Sequence, residues 1–149
     1  MFGGSYGAFR SKGVHYFSES GDLYKKLGEV AKIRGEEIAL RRGRQYLREI
    51  SASGDESSFG YPVNLGNRMT NVVAWSRMFD GVEVLCAINT DLENVLTVWV
   101  TVDAEIHADG EVLRSLYSVD GKELQVEWRD GRAVVKLSVP PTGFVLYKK

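Results

Sequence analysis

The sequence predicts a mostly β protein, an antiparallel Greek-key β-sandwich preceded by a glycine- and aromatic-rich loop and one or two helices. Three observations carry this. Apolar and polar residues alternate with period two in several runs of the second half of the chain, as half-buried strands do. Asp-Gly pairs at 80–81, 109–110, 120–121 and 130–131 separate those runs, and Asp-Gly tolerates the positive φ angles that tight hairpin turns demand. Helical spacing is confined to residues 20–42.

Residues 1–20 combine Phe2, Tyr6, Phe9, Tyr16 and Phe17 with glycines at 3, 4, 7 and 13 and follow neither period, so they read as a folded loop whose aromatics need a surface to pack on. A helix follows. Ser20 is placed to cap it, Asp22 suits the positive first turn, and Leu23, Leu27, Val30 and Ala31 keep helical spacing. Arg34 suits the negative end, and Gly35 is the residue expected to stop it in a left-handed cap. A second helical piece, 36–42, ends at Gly43. From about Gln45 the period becomes two. Leu96, Val98, Val100 and Val102 alternate with Thr97, Trp99, Thr101 and Asp103; Leu124, Val126 and Trp128 with Glu123, Gln125 and Glu127; Val135, Leu137 and Val139 with Lys136 and Ser138. The turn Pro140-Pro141-Thr142-Gly143 feeds a last strand from Phe144 to Tyr147. Seven or eight short strands result, with 51–70 as the one long loop.

The length, 149 residues, fits one domain, or one domain with an appendage, but not two full cores, and 19 basic and 20 acidic side chains give a formal charge of −1. Size scaling gives roughly 7,600 Å² of folded surface against about 24,000 Å² unfolded, enough burial for a core without staples. Balanced charge argues against a nucleic-acid partner or an acidic membrane surface, either of which favours a basic excess. No run approaches the length of a membrane-spanning helix, and the first residues lack the charged and apolar regions of a signal peptide. A cytoplasmic location is therefore expected. The single Cys86 forms no internal disulfide.

Catalytic constellations are not apparent. His15 and His107 are far apart and in no metal-ligand spacing, so each is expected to be a surface or loop residue, and no metal or cofactor is expected. Gly3-Gly4-Ser5-Tyr6-Gly7 lacks the preceding strand and following helix of a phosphate cradle. Cys86 lies in an apolar strand and is expected to act as a small buried hydrophobe. Arg41, Arg42, Arg44 and Arg48 are expected to face a helix C-terminus and pair with Glu36, Glu37 and Glu49. Most Asp and Glu positions fall in turns or on outward strand faces, where they are expected to be solvated; no pair can be placed across a glycosidic bond. Among aromatics, Trp99 is the candidate carbohydrate platform: it alternates with the core residues of its strand and takes the wetter face, with packing under the helix or the N-terminal loop as the competing reading. Trp128 keeps step with Leu124 and Val126 and is expected in the core. Trp75 is assignable to neither face.

Taken together, Phe9-Arg10-Ser11-Lys12-Gly13-Val14-His15-Tyr16-Phe17, then Leu23-Tyr24 with Arg34 ten positions on, then Ala39-Leu40-Arg41-Arg42-Gly43 resemble the end of the catalytic barrel of alpha-amylase family glycoside hydrolases (glycoside hydrolase family 13). Val72-Val73-Ala74-Trp75-Ser76-Arg77 and Val82 to Asn89 resemble the start of that family's C-terminal β-sandwich. Val135 to Pro141 with Gly143-Phe144-Val145-Leu146-Tyr147 resemble its last two strands.

The resemblance implies residues 1–43 as the remnant of a catalytic barrel and 44–149 as the C-terminal β-sandwich. It implies a parent enzyme acting on α-glucosidic linkages by the retaining two-carboxylate mechanism. The family's catalytic Asp and Glu motifs lie upstream of everything here, an Asn-His-Asp motif among them is absent, and so are the barrel strands and calcium ligands. The chain alone is thus expected to be catalytically silent. The partners implied are the missing barrel and an α-glucan. Two other readings follow from the residues: an autonomous starch-binding module using Trp99, and a purely structural domain whose helix face 20–34 (Leu23, Leu27, Val30, Ile33) is sticky enough for self-association.

Overall fold

The computed structural model describes residues 19–62, 71–118 and 120–149. The expected aromatic loop at 1–18, with His15 and the glycine-rich Gly3 to Gly7, and residues 63–70 of the long loop lie outside the described residues. The chain divides into two compact units, residues 1–37 and 38–149.

In the first unit, helix α1 spans Asp22–Glu36. Its N-cap is Gly21, not Ser20, with no side-chain cap bond. Gly35 does not end it. The helix runs on to Glu36, and Glu37 leaves in extended conformation while its N–H still bonds Ile33 O. That last bond closes the final turn without a left-handed residue. No residue of α1 is buried.

The second unit opens with the single turn α2 (Ile38–Arg42), which packs on two strands, β3 (Val72–Phe79) and β4 (Val82–Asn89). Gly43 follows, where the reason for glycine is contact and not φ: a Cβ would strike Ala39 O and approach Met78 O at 2.9 Å. The other strands are β1 (Arg44–Arg48), β2 (Ile50–Ser51), β5 (Leu96–Thr101), β6 (Val112–Tyr117), β7 (Leu124–Arg129), β8 (Arg132–Val139) and β9 (Phe144–Lys148).

All pairings are antiparallel, in the order β1-β3-β4-β9-β6-β7-β8-β5-β2. The run β9-β6-β7-β8 is a Greek key: three consecutive strands, with the fourth returning beside the first. The two edges belong to one stretch of chain, since β1 pairs with β3, β2 pairs with β5, and Glu49 lies between them. Glu49 itself is tied to Thr101 through both its N–H and its C=O. The sheet is thereby nearly closed around one core.

Every strand from β2 to β9 contributes alternate residues to that core, among them Val72, Ala74, Leu85, Ala87, Val98, Val100, Val126, Val135, Leu137 and Tyr147. Two of the Asp-Gly pairs form the expected two-residue hairpins. Asp80 and Gly81, and likewise Asp130 and Gly131, have positive φ at both positions, as the primed turn requires. The other two do not form two-residue hairpin turns. Asp109-Gly110 lies in the crossing from β5 to β6, and Asp120-Gly121 in the longer β6–β7 connection. The first connects strands that are not paired, the second joins the paired strands β6 and β7 through a longer loop, and in both only the glycine takes positive φ.

Candidate functional site

The most densely connected polar group in the second unit is Glu83 on β4, on the phase of Leu85 and Ala87 and therefore pointing inward. Its side chain is 1% exposed. Oε1 accepts from Arg48 Nη2 at 2.8 Å and, at very short range, from Ser76 Oγ. Oε2 accepts the Asp103 N–H at 2.9 Å. His107 Nε2 lies 3.0 Å from Oε2 in ion-pair contact, off the line of a full hydrogen bond. On the other side of the imidazole, Nδ1 meets Glu111 Oε2 at 2.6 Å, and Glu111 also holds the Lys149 ammonium. Arg48 reaches Asp103 at 3.7 Å as well.

The electrostatics follow from this geometry. Burial alone works against the Glu83 charge, but His107, Arg48, Ser76 and the Asp103 N–H outweigh it, so its pKa is lowered. Burial likewise opposes an imidazolium at His107, and the carboxylates of Glu83 and Glu111 overcome it, raising its pKa. Glu111 is lowered against its desolvation by Lys149 and His107. A neutral imidazole has one donor and one acceptor; a carboxylate at each nitrogen therefore favours the cation at His107.

This cluster corrects three sequence expectations. His107 is in a loop, as expected, but it is buried, because the 103–111 turn folds its ring onto β4. Glu83 is not solvated, because its strand phase points it inward. Arg48 pairs with Glu83 and Asp103, and Glu49 with Arg132, because strand pairing carries both residues away from the helix end. The signal for Glu83 was present in the alternation of β4. Nothing local marked Arg48 or His107 as its partners.

The cluster does not have catalytic geometry. In a nucleophilic triad the imidazole stands between hydroxyl and carboxylate; here Glu83 stands between Ser76 and His107, and Ser76 is fully buried. A glycosidase pair leaves a gap of about 5–10 Å for the scissile bond, whereas the His107 ring fills the space between Glu83 and Glu111. Among the described residues no group of three or more His, Cys, Asp or Glu is placed to hold a metal ion. Cys86 is buried, and desolvation pushes its thiol up to about 12, with Arg77 pulling down and Glu83 pushing up. It is the inert small hydrophobe expected.

Trp99 is packed and not an open platform, and Trp128 is exposed where the core was expected, although both keep the strand phase that the alternation gave them. Trp99 does alternate with core Val98 and Val100, yet it is only 5% exposed. The Arg129 guanidinium lies 3.7 Å from its ring centroid, Lys136 reaches 5.5 Å, and Gly54 of the 52–58 loop abuts its indole edge. Trp128 shares the phase of Leu124 and Val126 but is 46% exposed. It sits beside the β7–β8 hairpin, where the core ends, and its indole N–H reaches His107 O at 3.4 Å. Trp75 is half-buried and stacks with Phe144 at 6.3 Å, which in turn meets Tyr117 at 5.9 Å.

Beside the seam between β1 and β2 lies a groove of about 380 Å³, with Leu47, Glu49, Tyr61, Thr101 and Arg132 among its lining. In the first unit Leu23 and Leu27 on α1 are each about 60% exposed, and no helix among the described residues is long and apolar enough to cross a membrane.

No protein-family model matches the sequence, and no curated protein matches it. Solved structures do match its fold. The chain is similar to AmyP in complex with maltotriose (TM-score 0.56, 18% identity, 85% of this chain and 20% of that one). It is similar to CldA, a cyclomaltodextrin glucanotransferase with a three-domain ABC distribution (0.56, 20% identity, 91% and 24%). It is also similar to the debranching enzyme of Nostoc punctiforme (0.55, 18% identity, 93% and 24%). The described fold is shared with part of these larger enzymes, and the chain spans between a fifth and a quarter of their length.

Proposed function

We propose that this chain is the C-terminal part of an alpha-amylase-type glycoside hydrolase acting on α-glucans, non-catalytic by itself, whose task is to pack on and stabilise a catalytic barrel. The observation that carries the reading is the likeness in fold over 85–93% of this chain to a fifth or a quarter of three such enzymes. The quoted motifs of the chain point to the same family independently. Two physical features support it. The carboxylates that come together, Glu83 and Glu111, are each locked on the His107 ring between them. The leucines of α1 are exposed, a face suited to a further partner.

The reading is tested in two ways. Purified protein should release no reducing sugar from starch or maltooligosaccharides, and measurable release would overturn the non-catalytic role. The DNA upstream of the Met1 codon should carry an open frame encoding a barrel with its carboxylate motifs. An in-frame stop there would instead favour a second reading, an autonomous α-glucan-binding module. That reading finds support in the polar groove at the β1–β2 seam. A platform role for Trp99 within it would require Arg129 to leave the indole face.

A further inference from the structure

We propose that the groove at the β1–β2 seam is a sugar-binding site, in which the Tyr61 ring receives the C–H face of a pyranose while Glu49 and Arg132 hold its hydroxyls. The inference rests on the proposed function only for the choice of an α-linked glucose chain as the sugar.

The groove exists because the sheet does not quite close. At Glu49 the chain leaves β3 and joins β5, and the seam opens between that crossing and the β5 and β8 strands. Its volume, about 380 Å³, falls in the range of clefts that hold small ligands. Its walls are fixed. Glu49 is tied to Thr101 by both backbone groups, and Gly60 exchanges both backbone hydrogen bonds with Ile50, which brings Tyr61 to the rim. Tyr61 is 56% exposed.

The polar pair at the groove is balanced in charge. Arg132 Nη1 bonds Glu49 Oε2, and the guanidinium lies over Phe59 at 5.6 Å. A guanidinium has five donors and a carboxylate about four acceptor positions, so one mutual bond leaves both able to meet further groups. The second arginine of the wall, Arg48, is already neutralised by Glu83 and Asp103.

These features select among ligand classes. An anion would face the Glu49 carboxylate and find no uncompensated cation. A wholly apolar ligand would cover the Glu49–Arg132 pair without satisfying it, at the cost of desolvation. A neutral ring with one C–H face and a rim of hydroxyls satisfies both the exposed aromatic and the paired donors and acceptors.

Maltotriose titrated into the full 149-residue chain, followed by amide NMR, tests this. The expected result is saturable shifts centred on Tyr61, Glu49 and Gly131, with affinity reduced about tenfold or more (about 1.4 kcal/mol) in Tyr61→Ala. Glu49→Gln, which keeps the side-chain volume, should also weaken binding, while Trp128→Ala, at the exposed tryptophan outside the groove, should leave it unchanged. No saturable shift, or binding that survives both Tyr61→Ala and Glu49→Gln, overturns the inference. Dispersed spectra of the free variants establish that they are folded. A barrel frame upstream of Met1 with no maltotriose binding would refute the groove and leave the proposed function standing. Binding with no such frame would do the reverse.

Discussion

The interior of the second unit holds two dry regions built on opposite rules. The Val- and Leu-rich core is made of side chains that any neighbour of the right shape satisfies. The Glu83 cluster is made of charges that only particular partners satisfy. Both are excluded from water: Leu85 is 1% exposed and the neighbouring inward Glu83 is 3% exposed on the same strand. Truncating an apolar side chain in the core forfeits its transfer energy and opens a cavity. Deleting a member of the cluster strands a charge in a poorly solvating place. The difference predicts that equal burial on β4 hides unequal sensitivity to chemical change.

The sharpest way to break that comparison is to truncate the two positions side by side. Glu83→Ala leaves Arg48 and His107 facing each other without their shared counter-charge, and should cost about 3–5 kcal/mol. Leu85→Ala should cost about 2–5 kcal/mol through its cavity. Urea unfolding followed by circular dichroism measures both. The discriminating variant is Glu83→Gln, which keeps the volume and loses the charge. It should remain strongly destabilised, whereas the volume-conserving Leu85→Met should cost less than about 1.5 kcal/mol. Equal, small losses for Gln and Met would mean that the cluster is held by shape rather than charge.

The two regions also differ in how they respond to pH. The apolar core has no proton to exchange, and the cluster has three groups shifted from their ordinary values. His107 titrates above its ordinary 6.5 when folded. Its contribution is fully present below 6.5 and is lost as pH rises through the raised folded value, because the folded state there binds more protons than the unfolded. Glu83 and Glu111 titrate below 4.5 when folded, so theirs is present above 4.5 and lost as pH falls through the lowered values. Stability should therefore be greatest between about 4.5 and 6.5 as far as this cluster decides it. Each group alters the slope by at most about 1.4 kcal/mol per pH unit. His107→Leu should flatten the alkaline limb in a series of urea titrations. An alkaline limb unchanged in that variant would show that His107 does not bind its extra proton in the folded state.

How much of this was legible in the sequence divides along the same line. The core was, since period two marks strands and Leu124, Val126, Val135, Leu137 and Val139 all face inward as their alternation requires. The hairpins at Asp80-Gly81 and Asp130-Gly131 were legible for a local reason, the φ angles of two adjacent residues. The same dipeptide misled at 109–110, where the chain crosses between unpaired strands, while at 120–121 it does lie between the paired strands β6 and β7 but in a connection longer than two residues. Glu83 was half legible, its inward phase visible but its partners not, because Arg48, Asp103 and His107 reach it only through strand pairing and a loop fold. Trp99 shows the limit most plainly. Alternation names the face of a sheet, not what lies over that face, and here Gly54 and Arg129 come from elsewhere in the chain to cover it.

Trp99 also supplies the mildest test of the contrast, since it combines both rules in one place: an apolar ring buried beneath a cation. Arg129 holds its position through Glu127, whose Oε2 accepts from its Nε and Nη2 at 3.1 and 2.9 Å, so the guanidinium is oriented before it meets the indole. Removing it in Arg129→Ala uncovers one ring face but strands no buried charge, because Glu127 is itself 45% exposed and solvent takes over. The destabilisation should be about 0.5–1 kcal/mol, the value of an exposed cation–π interaction. It should be accompanied by a red shift of the tryptophan emission as water reaches Trp99. Arg129→Lys keeps the charge and gives up the planar stack, so it should fall between wild type and Ala. A destabilisation as large as that of Glu83→Ala would mean that Arg129 belongs with the ionic cluster, and that the boundary between the two kinds of interior lies elsewhere than at β4.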